Sequence, residues 1–272
     1  MPKKKFMKNH YLFTVIALIF VLFVLGSMCE PKPPPPPPPI PNPVPTSVTD
    51  IDNHKYKVKR FDNTIWMMEN LRVTRYDTKS SSSGDTIAIA TYNHSVNTNT
   101  PYYINVQDFS DSPYTDNLTA EIRSSLGFLY NWSAAAGTKD NNTTVGGAIQ
   151  GICPNGWRLP NNADWENLFK LLGESEVAGQ KLKSVYGWYT LAGSGTNESG
   201  MNCYPAGLAA GNFVSLVGQQ TMFWNTNSQP GYIPRAGALK LFYNQDEAEI
   251  LYINKFQANS VRCVMDYKEF DD

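Results

Sequence analysis

Gly151-Ile152-Cys153-Pro154-Asn155-Gly156-Trp157-Arg158-Leu159-Pro160-Asn161-Asn162-Ala163-Asp164-Trp165-Glu166-Asn167-Leu168 leads from a tight turn into a helix. Asn161 or Asn162 offers a side-chain oxygen to the first free amides, and Asp164 and Glu166 favour the positive end of the helix dipole. Trp165, Leu168, Leu171 and Leu172 recur at helical spacing and are expected to share the buried face. Gly173 stops the helix.

Upstream, from Val48, the chain reads as strand and turn. Lys55-Tyr56-Lys57-Val58-Lys59 alternates, Asp62-Asn63 supplies a turn, and Thr64-Ile65-Trp66-Met67-Met68 returns, which predicts a hairpin. Residues 80–84 and 92–116 are polar and turn-rich, with Tyr92, Tyr102, Tyr103 and Tyr114 interspersed. Such an excursion either carries binding or simply covers a sheet. A short helix is expected within residues 118–126, followed by an apolar segment, 127–135, that enters the core.

The N-terminus sets the compartment. Lys3, Lys4, Lys5 and Lys8 precede an apolar run over residues 11–25, which is shorter than the ~20 residues a membrane-spanning helix needs but fits a secretory leader. Gly26, Ser27 and Met28 then precede Cys29. The segment resembles a bacterial lipoprotein signal, in which residues 1–28 are removed and Cys29 becomes the lipidated first residue. Met28 departs from the small residue usual at that point, and an uncleaved N-terminal anchor is the alternative. Residues 29–47 hold an unbroken proline run from Pro33 to Pro39, then Pro41, Pro43 and Pro45. Proline fixes φ and lacks an amide donor, so this segment is read as a stiff polyproline II spacer of roughly 40 to 50 Å.

About 225 residues follow, enough for one large domain, 48–272. Loss of the leader, with its four lysines and no acids, moves the formal charge from −1 to −5. That balance argues against nucleic acid as a partner, because phosphate neutralisation needs clustered Lys and Arg. With Cys29 lipidated, Cys153, Cys203 and Cys263 remain. Cys153 and Cys263 are paired in this reading, since both flank expected element ends and the bridge ties the middle of the domain to its last strand. Cys203 is then a small buried residue, and the alternative leaves all three reduced.

Eight short motifs occur in order: Trp66-Met67-Met68-Glu69-Asn70-Leu71, Gly127-Phe128-Leu129-Tyr130-Asn131-Trp132, Cys153 to Pro160 as quoted, Asp164-Trp165, Lys181-Leu182-Lys183-Ser184, Thr196-Asn197-Glu198-Ser199-Gly200, Phe223-Trp224 and Ser260-Val261-Arg262-Cys263-Val264. Together they resemble the Fibrobacter succinogenes major paralogous domain, a family of exported proteins and lipoproteins of Bacteroidota, over about residues 48 to 267. The resemblance implies an α+β fold of C-type-lectin-like or formylglycine-generating-enzyme-like type, with few short helices, twisted antiparallel sheets and long loops. It implies location and architecture rather than a reaction. Cys203 stands where the family usually has a small apolar residue, and residues 92–116 look longer than typical.

Catalytic sets are hard to assemble. His10 lies in the leader, and His54 and His94 are isolated, so neither a histidine metal site nor a Ser-His-Asp set is built easily. A Cys203–His94 dyad has no local support. A formylglycine-type oxidase needs two reactive cysteines, whereas Cys153 and Cys263 are assigned to a bridge. A glycosidase needs two carboxylates facing across a cleft; Asp164, Glu166, Glu174 and Glu198 are the candidates, and Asp164 and Glu166 already serve the helix start. Asp108, Asp111, Asp116 and Asn117 match no known calcium loop spacing and are read as solvated. No metal and no cofactor is expected. Asp85-Thr86-Ile87 resembles a short Bacteroidota O-glycosylation motif.

Trp66, Trp132, Trp157, Trp165 and Trp224 are assigned to the core. Trp188 and Tyr189 are expected to be exposed, and with Tyr102 and Tyr103 they are the candidate ligand-binding aromatics. The resulting expectation is an exported lipoprotein, lipid-anchored to the cell envelope at the outer membrane or cell surface. Its domain binds glycan or a surface protein without catalysis, as in adhesion. A structural subunit of a fimbria or adhesin, and a polysaccharide-acting enzyme, are the alternatives.

Overall fold

The computed structural model describes residues 41–77, 88–89, 100–108, 119–138, 147–190, 195–210, 213–229 and 235–268. The chain separates into two units, Met1–Pro41 and Asn42–Asp272, and only the second carries the elements below. The leader, Cys29 and the run Pro33 to Pro39 lie outside the described residues, as do Asp85-Thr86-Ile87, Tyr92, His94, Asp111, Tyr114, Asp116 and Asn117.

Among the described residues thirteen strands form three sheets. The first orders β1 (Ser47–Thr49), β2 (Lys55–Phe61), β3 (Thr64–Met67) and β13 (Val264–Asp266) side by side, all antiparallel. The second is a three-stranded antiparallel meander of β9 (Gln220–Ser228), β10 (Arg235–Phe242) and β11 (Ala248–Asn254), with β10 in the centre. The third follows the order β4 (Ala88–Ile89), β5 (Tyr102–Asn105), β6 (Phe128–Asn131), β12 (Ala258–Asn259), β7 (Leu208–Ala210) and β8 (Phe213–Ser215). Its only parallel pairing among the described residues is β4 with β5.

Helices are short. They are α1 (Ala120–Ser125), α2 (Trp132–Ala136), α3 (Asn162–Leu172) and α4 (Ser175–Leu182), the longest of 11 residues. The expected α+β fold of C-type-lectin-like or formylglycine-generating-enzyme-like type is therefore corrected. The described chain is mostly β, closer to a sandwich or barrel of packed sheets, with helices too short to form a layer. The reason is local: Gly137 and Gly173 adopt left-handed C-caps that stop α2 and α3, while the strands are built from aromatic and β-branched runs.

The predicted hairpin is β2–β3, with Asp62 at positive φ in its turn. The predicted helix is α3. Asn161 caps it in a reciprocal box with Asp164, and Trp165, Leu168, Phe169 and Leu172 follow its inner face. Leu171 was placed on that face and is instead 55% exposed. Residue 169 rather than 171 continues the i, i+3, i+4, i+7 phase set by Trp165.

Cys153 and Cys263 form a disulfide, with Cα atoms 5.8 Å apart across a sequence separation of 110. Beside the bridge, Arg158 N–H donates to the Val264 carbonyl and Val264 N–H returns to that of Arg158, both at 2.8 Å. The opening motif is thus laced to the last strand.

Asp52 ties the β1–β2 turn to residues 74 and 75. It accepts from the Thr74 backbone N–H at 2.6 Å, the Thr74 hydroxyl at 2.8 Å and Arg75 Nε at 2.6 Å. Burial alone would raise its pKa, but these donors overcome that and hold it below 3.8. The stabilisation is fully present above the unfolded-state value and is lost as pH falls through the lower folded value. Thermal melts between pH 5 and pH 2 are expected to fall more steeply for the parent than for Asp52→Asn; equal slopes would refute this.

Candidate functional site

The four aromatics singled out from sequence do not assemble. Tyr102 and Tyr103 on β5 are buried: the Tyr102 hydroxyl donates to the Phe256 carbonyl at 2.9 Å, and Tyr103 stacks on Phe128 at 4.9 Å. Burial pushes the Tyr102 phenol up to about 12. Trp188, expected outside, is only 7% exposed, with Nε1 donating to the Ser184 hydroxyl at 3.1 Å. The Lys183 ammonium sits 5.3 Å from its ring and donates to the Gln245 carbonyl, so the Lys181 to Ser184 motif is a structural plug. Tyr189 alone is exposed as expected, at 46%, and packs edge-on against Tyr243. A glycine on each side of 188 and 189 suggested a loop, but gave no sign that the indole turns inward.

The concave feature lies elsewhere, at the end of the stretch that opened the sequence. Arg158 leaves the turn and grips two carboxylates. Nη1 and Nη2 reach the Asp164 oxygens at 2.7 and 3.0 Å, and Nη2 also reaches Asp266 at 2.5 Å. The first stage of α3 is thereby locked to β13. These contacts raise the Arg158 pKa despite its partial burial, so the guanidinium is permanently charged.

The opposite wall comes from β9. Gly237 on β10 has no side chain, and a Cβ there would overlap Asn225 Oδ1. Asn225 therefore fits fully buried under β10 and accepts the Asn227 N–H at 3.0 Å. Asn227 Oδ1 in turn accepts the Asn162 N–H at 2.7 Å, and the Thr226 N–H donates to the Pro160 carbonyl at 2.9 Å. Between these walls lies a groove of about 800 Å³, bordered by Gly147 and Ala148 and containing Asn162, Glu166, Asn227, Ser228 and Asp266. Asn162 Oδ1 and Ser228 Oγ are shielded from solvent yet have no hydrogen-bond partner among the described residues. A second pocket between the β2–β3 turn and α3 holds only about 100 Å³.

The groove's carboxylates are mostly committed. Asp164 spends its oxygens on Arg158 and on the Asn161 N–H at 2.7 Å, and Asp266 is held by Arg158. Glu166 is exposed, as is Asp266, but is not gripped by Arg158. Glu174, at positive φ before α4, and Glu198, 3.5 Å from Lys181, are not among the groove residues. Cys203 is a buried free thiol whose pKa burial raises against the pull of Arg262, which disfavours the thiolate a nucleophile needs. Among the described residues no cluster of three or more His, Cys, Asp or Glu side chains could hold a metal.

A sequence model of the Fibrobacter succinogenes major domain matches residues 60–265. The chain belongs to the Fibrobacter succinogenes major domain family. No curated protein and no solved structure matches it. In this Fibrobacter succinogenes major domain the tryptophans of the quoted motifs pack into the frame of the fold. Trp66 meets Trp165 at 4.3 Å, Trp132 meets Trp224 at 5.5 Å, and Trp224 Nε1 donates to the Tyr130 carbonyl at 2.7 Å. Of these motifs, the turn from Arg158 into the start of α3 borders the groove. Sequence reading assigned Asp164 and Glu166 to the helix start and missed Asn162, Asn227 and Ser228. For Asn227 and Ser228 the signal was the polar tail Asn225-Thr226-Asn227-Ser228 after the apolar Met222-Phe223-Trp224.

Proposed function

We propose that the chain is an exported lipoprotein, anchored through Cys29 to the bacterial envelope, whose domain is a non-catalytic binding module for glycan. The polyproline spacer holds the domain away from the membrane. One observation carries the binding reading: an open groove lined by Asn162, Asn227, Ser228 and Glu166, whose side chains are of hydrogen-bonding type. Sugar hydroxyls both donate and accept, which suits amides, a hydroxyl and a carboxylate together. Arg158 is spent on Asp164 and Asp266, so the groove is poorly set for an anion. The same pairing ties up the carboxylates that hydrolysis would need as acid and base.

The test uses residues 42–272, the unit that contains the three sheets and the disulfide, secreted through an oxidising compartment. A glycan array followed by calorimetry on the best hit is expected to show saturable binding. Glu166→Ala and Asn227→Ala should each weaken it by about ten-fold, the loss of one to two hydrogen bonds. A blank array, or binding indifferent to both changes, would sink the reading. Trp188 and Tyr103 are unsuitable test positions because both are buried.

A further inference from the structure

Asn155-Gly156 is the only Asn-Gly pair in the chain. A glycine in second place matters chemically, because with no Cβ beside it the glycine nitrogen is the least hindered backbone nucleophile that the asparagine side chain can meet. The fold leaves this pair in the open. Both residues are exposed, and a Cβ placed on Gly156 would meet no atom within 4 Å.

The local geometry also leaves the reacting atoms unclaimed. Trp157 N–H donates to the Pro154 carbonyl at 2.9 Å and Gly156 has a φ of +83°, which together define a type II turn with Asn155 and Gly156 at its centre. The amide between the central residues takes no part in closing such a turn. Gly156 N–H accordingly makes no hydrogen bond among the described residues, and neither does the Asn155 side-chain amide. Asn155 is held instead through its backbone N–H, which donates to Asp77 Oδ2 at 3.1 Å.

We propose that Asn155 is a site of self-modification, where the folded protein converts asparagine to aspartate and isoaspartate with water as the only co-reactant. Hydroxide takes the Gly156 amide proton, and the nitrogen attacks Asn155 Cγ. The new C–N bond closes a succinimide while the Cγ–Nδ2 bond breaks, and Nδ2 leaves as ammonia, taking up a proton from water that restores the hydroxide. Water then adds to one imide carbonyl and cleaves its bond to nitrogen. Cleavage at Cγ leaves an ordinary aspartate, whereas cleavage at the backbone carbonyl leaves isoaspartate, with the side-chain methylene now in the main chain. Either product places a new negative charge near Asp77, whose own carbonyl accepts Gln150 Nε2. Isoaspartate also lengthens the backbone between the Cys153 bridge and the Arg158 clamp, so the loop over residues 150–157 loses its fit to Asp77. The inference is independent of what the groove binds.

Ageing the folded full-length chain at mildly alkaline pH, followed by peptide mapping with mass spectrometry, tests it. The peptide that contains residue 155 is expected to gain the mass difference between an amide and a carboxyl and to split into two products, isoaspartate exceeding aspartate. The gain should grow with pH, because attack needs the deprotonated nitrogen. Asn155→Gln should abolish it, since the longer side chain has to close a larger ring, and as an exposed substitution it should leave the melting temperature unchanged. Folded protein that stays unmodified at 155 while the reduced, urea-unfolded chain is converted there overturns the proposal, because the turn then protects its asparagine. So does modification confined to other asparagines.

Discussion

Replacing Cys153 and Cys263 together by serine is expected to cost the domain about 4 kcal/mol and to lower its melting temperature by about 10 °C. The bridge closes 110 residues, a loop for which the loss of chain entropy in the unfolded state is near the upper end of its range. A domain of this size has about 5 to 15 kcal/mol in hand, so the reduced form keeps only a fraction of its stability. The cost is also local. Cys263 precedes β13, and the backbone pair between Arg158 and Val264 lies next to the bridge. Calorimetry on the parent and on the double serine variant checks this, and a shift below about 3 °C would mean the loop is held by packing alone.

Arg262→Ala is expected to be comparably severe, at about 3 to 5 kcal/mol. The guanidinium is wholly buried, and among the described residues no carboxylate lies within ion-pair distance of it. Nε and Nη2 donate to Asn70 Oδ1 at 2.9 and 2.8 Å, Nη1 donates to the Met201 carbonyl, and Nη2 also reaches the Asn202 carbonyl at 3.3 Å. The plane stands 5.1 Å from the Phe223 ring. Burial lowers the Arg262 pKa, the signature of a charge removed from water. Alanine leaves a cavity and three unpaired acceptors, whereas methionine fills the volume and removes the buried charge. Urea titrations should therefore place Arg262→Met at about half the loss of the alanine variant. Equal losses would show that the hydrogen bonds, not the volume, dominate.

The parts legible from sequence are those governed by neighbours in the chain. The β2–β3 hairpin follows from alternation around Asp62-Asn63, and α3 from Asn161, Asp164 and Gly173. The meander was not legible. Gln220 to Thr226 is buried at every position, so β9 shows no alternation, and its Gln, Thr and Asn residues read as surface. Those polar side chains lie in the interior all the same, and Asn225 fills the space that Gly237 leaves on the neighbouring strand β10. The fold class failed for a related reason: it was taken from the resemblance, while the longest strands carried no pattern to contradict it. The exposed aromatics failed because a ring's direction depends on partners distant in sequence. Trp188 is drawn inward toward Lys183, whose ammonium is fixed by the β10–β11 turn. The groove was only half visible for the same cause, since β9 supplies one wall and the Arg158 turn the other.

The Arg158 clamp also decides how the domain would carry a pull. Asn42, where the compact unit begins, accepts the Tyr267 hydroxyl at 2.7 Å and donates through Nδ2 to the Lys268 carbonyl at 3.1 Å. The next residue inward, Asp266, is gripped by Arg158, and Arg158 holds Asp164 at the mouth of the groove. A pull applied at Asn42 and resisted in the groove therefore has a short route through the last few residues of β13 and one guanidinium. Tyr267 is itself part of an apolar core, so that route runs along the seam where the core gives way to the exposed Asp266.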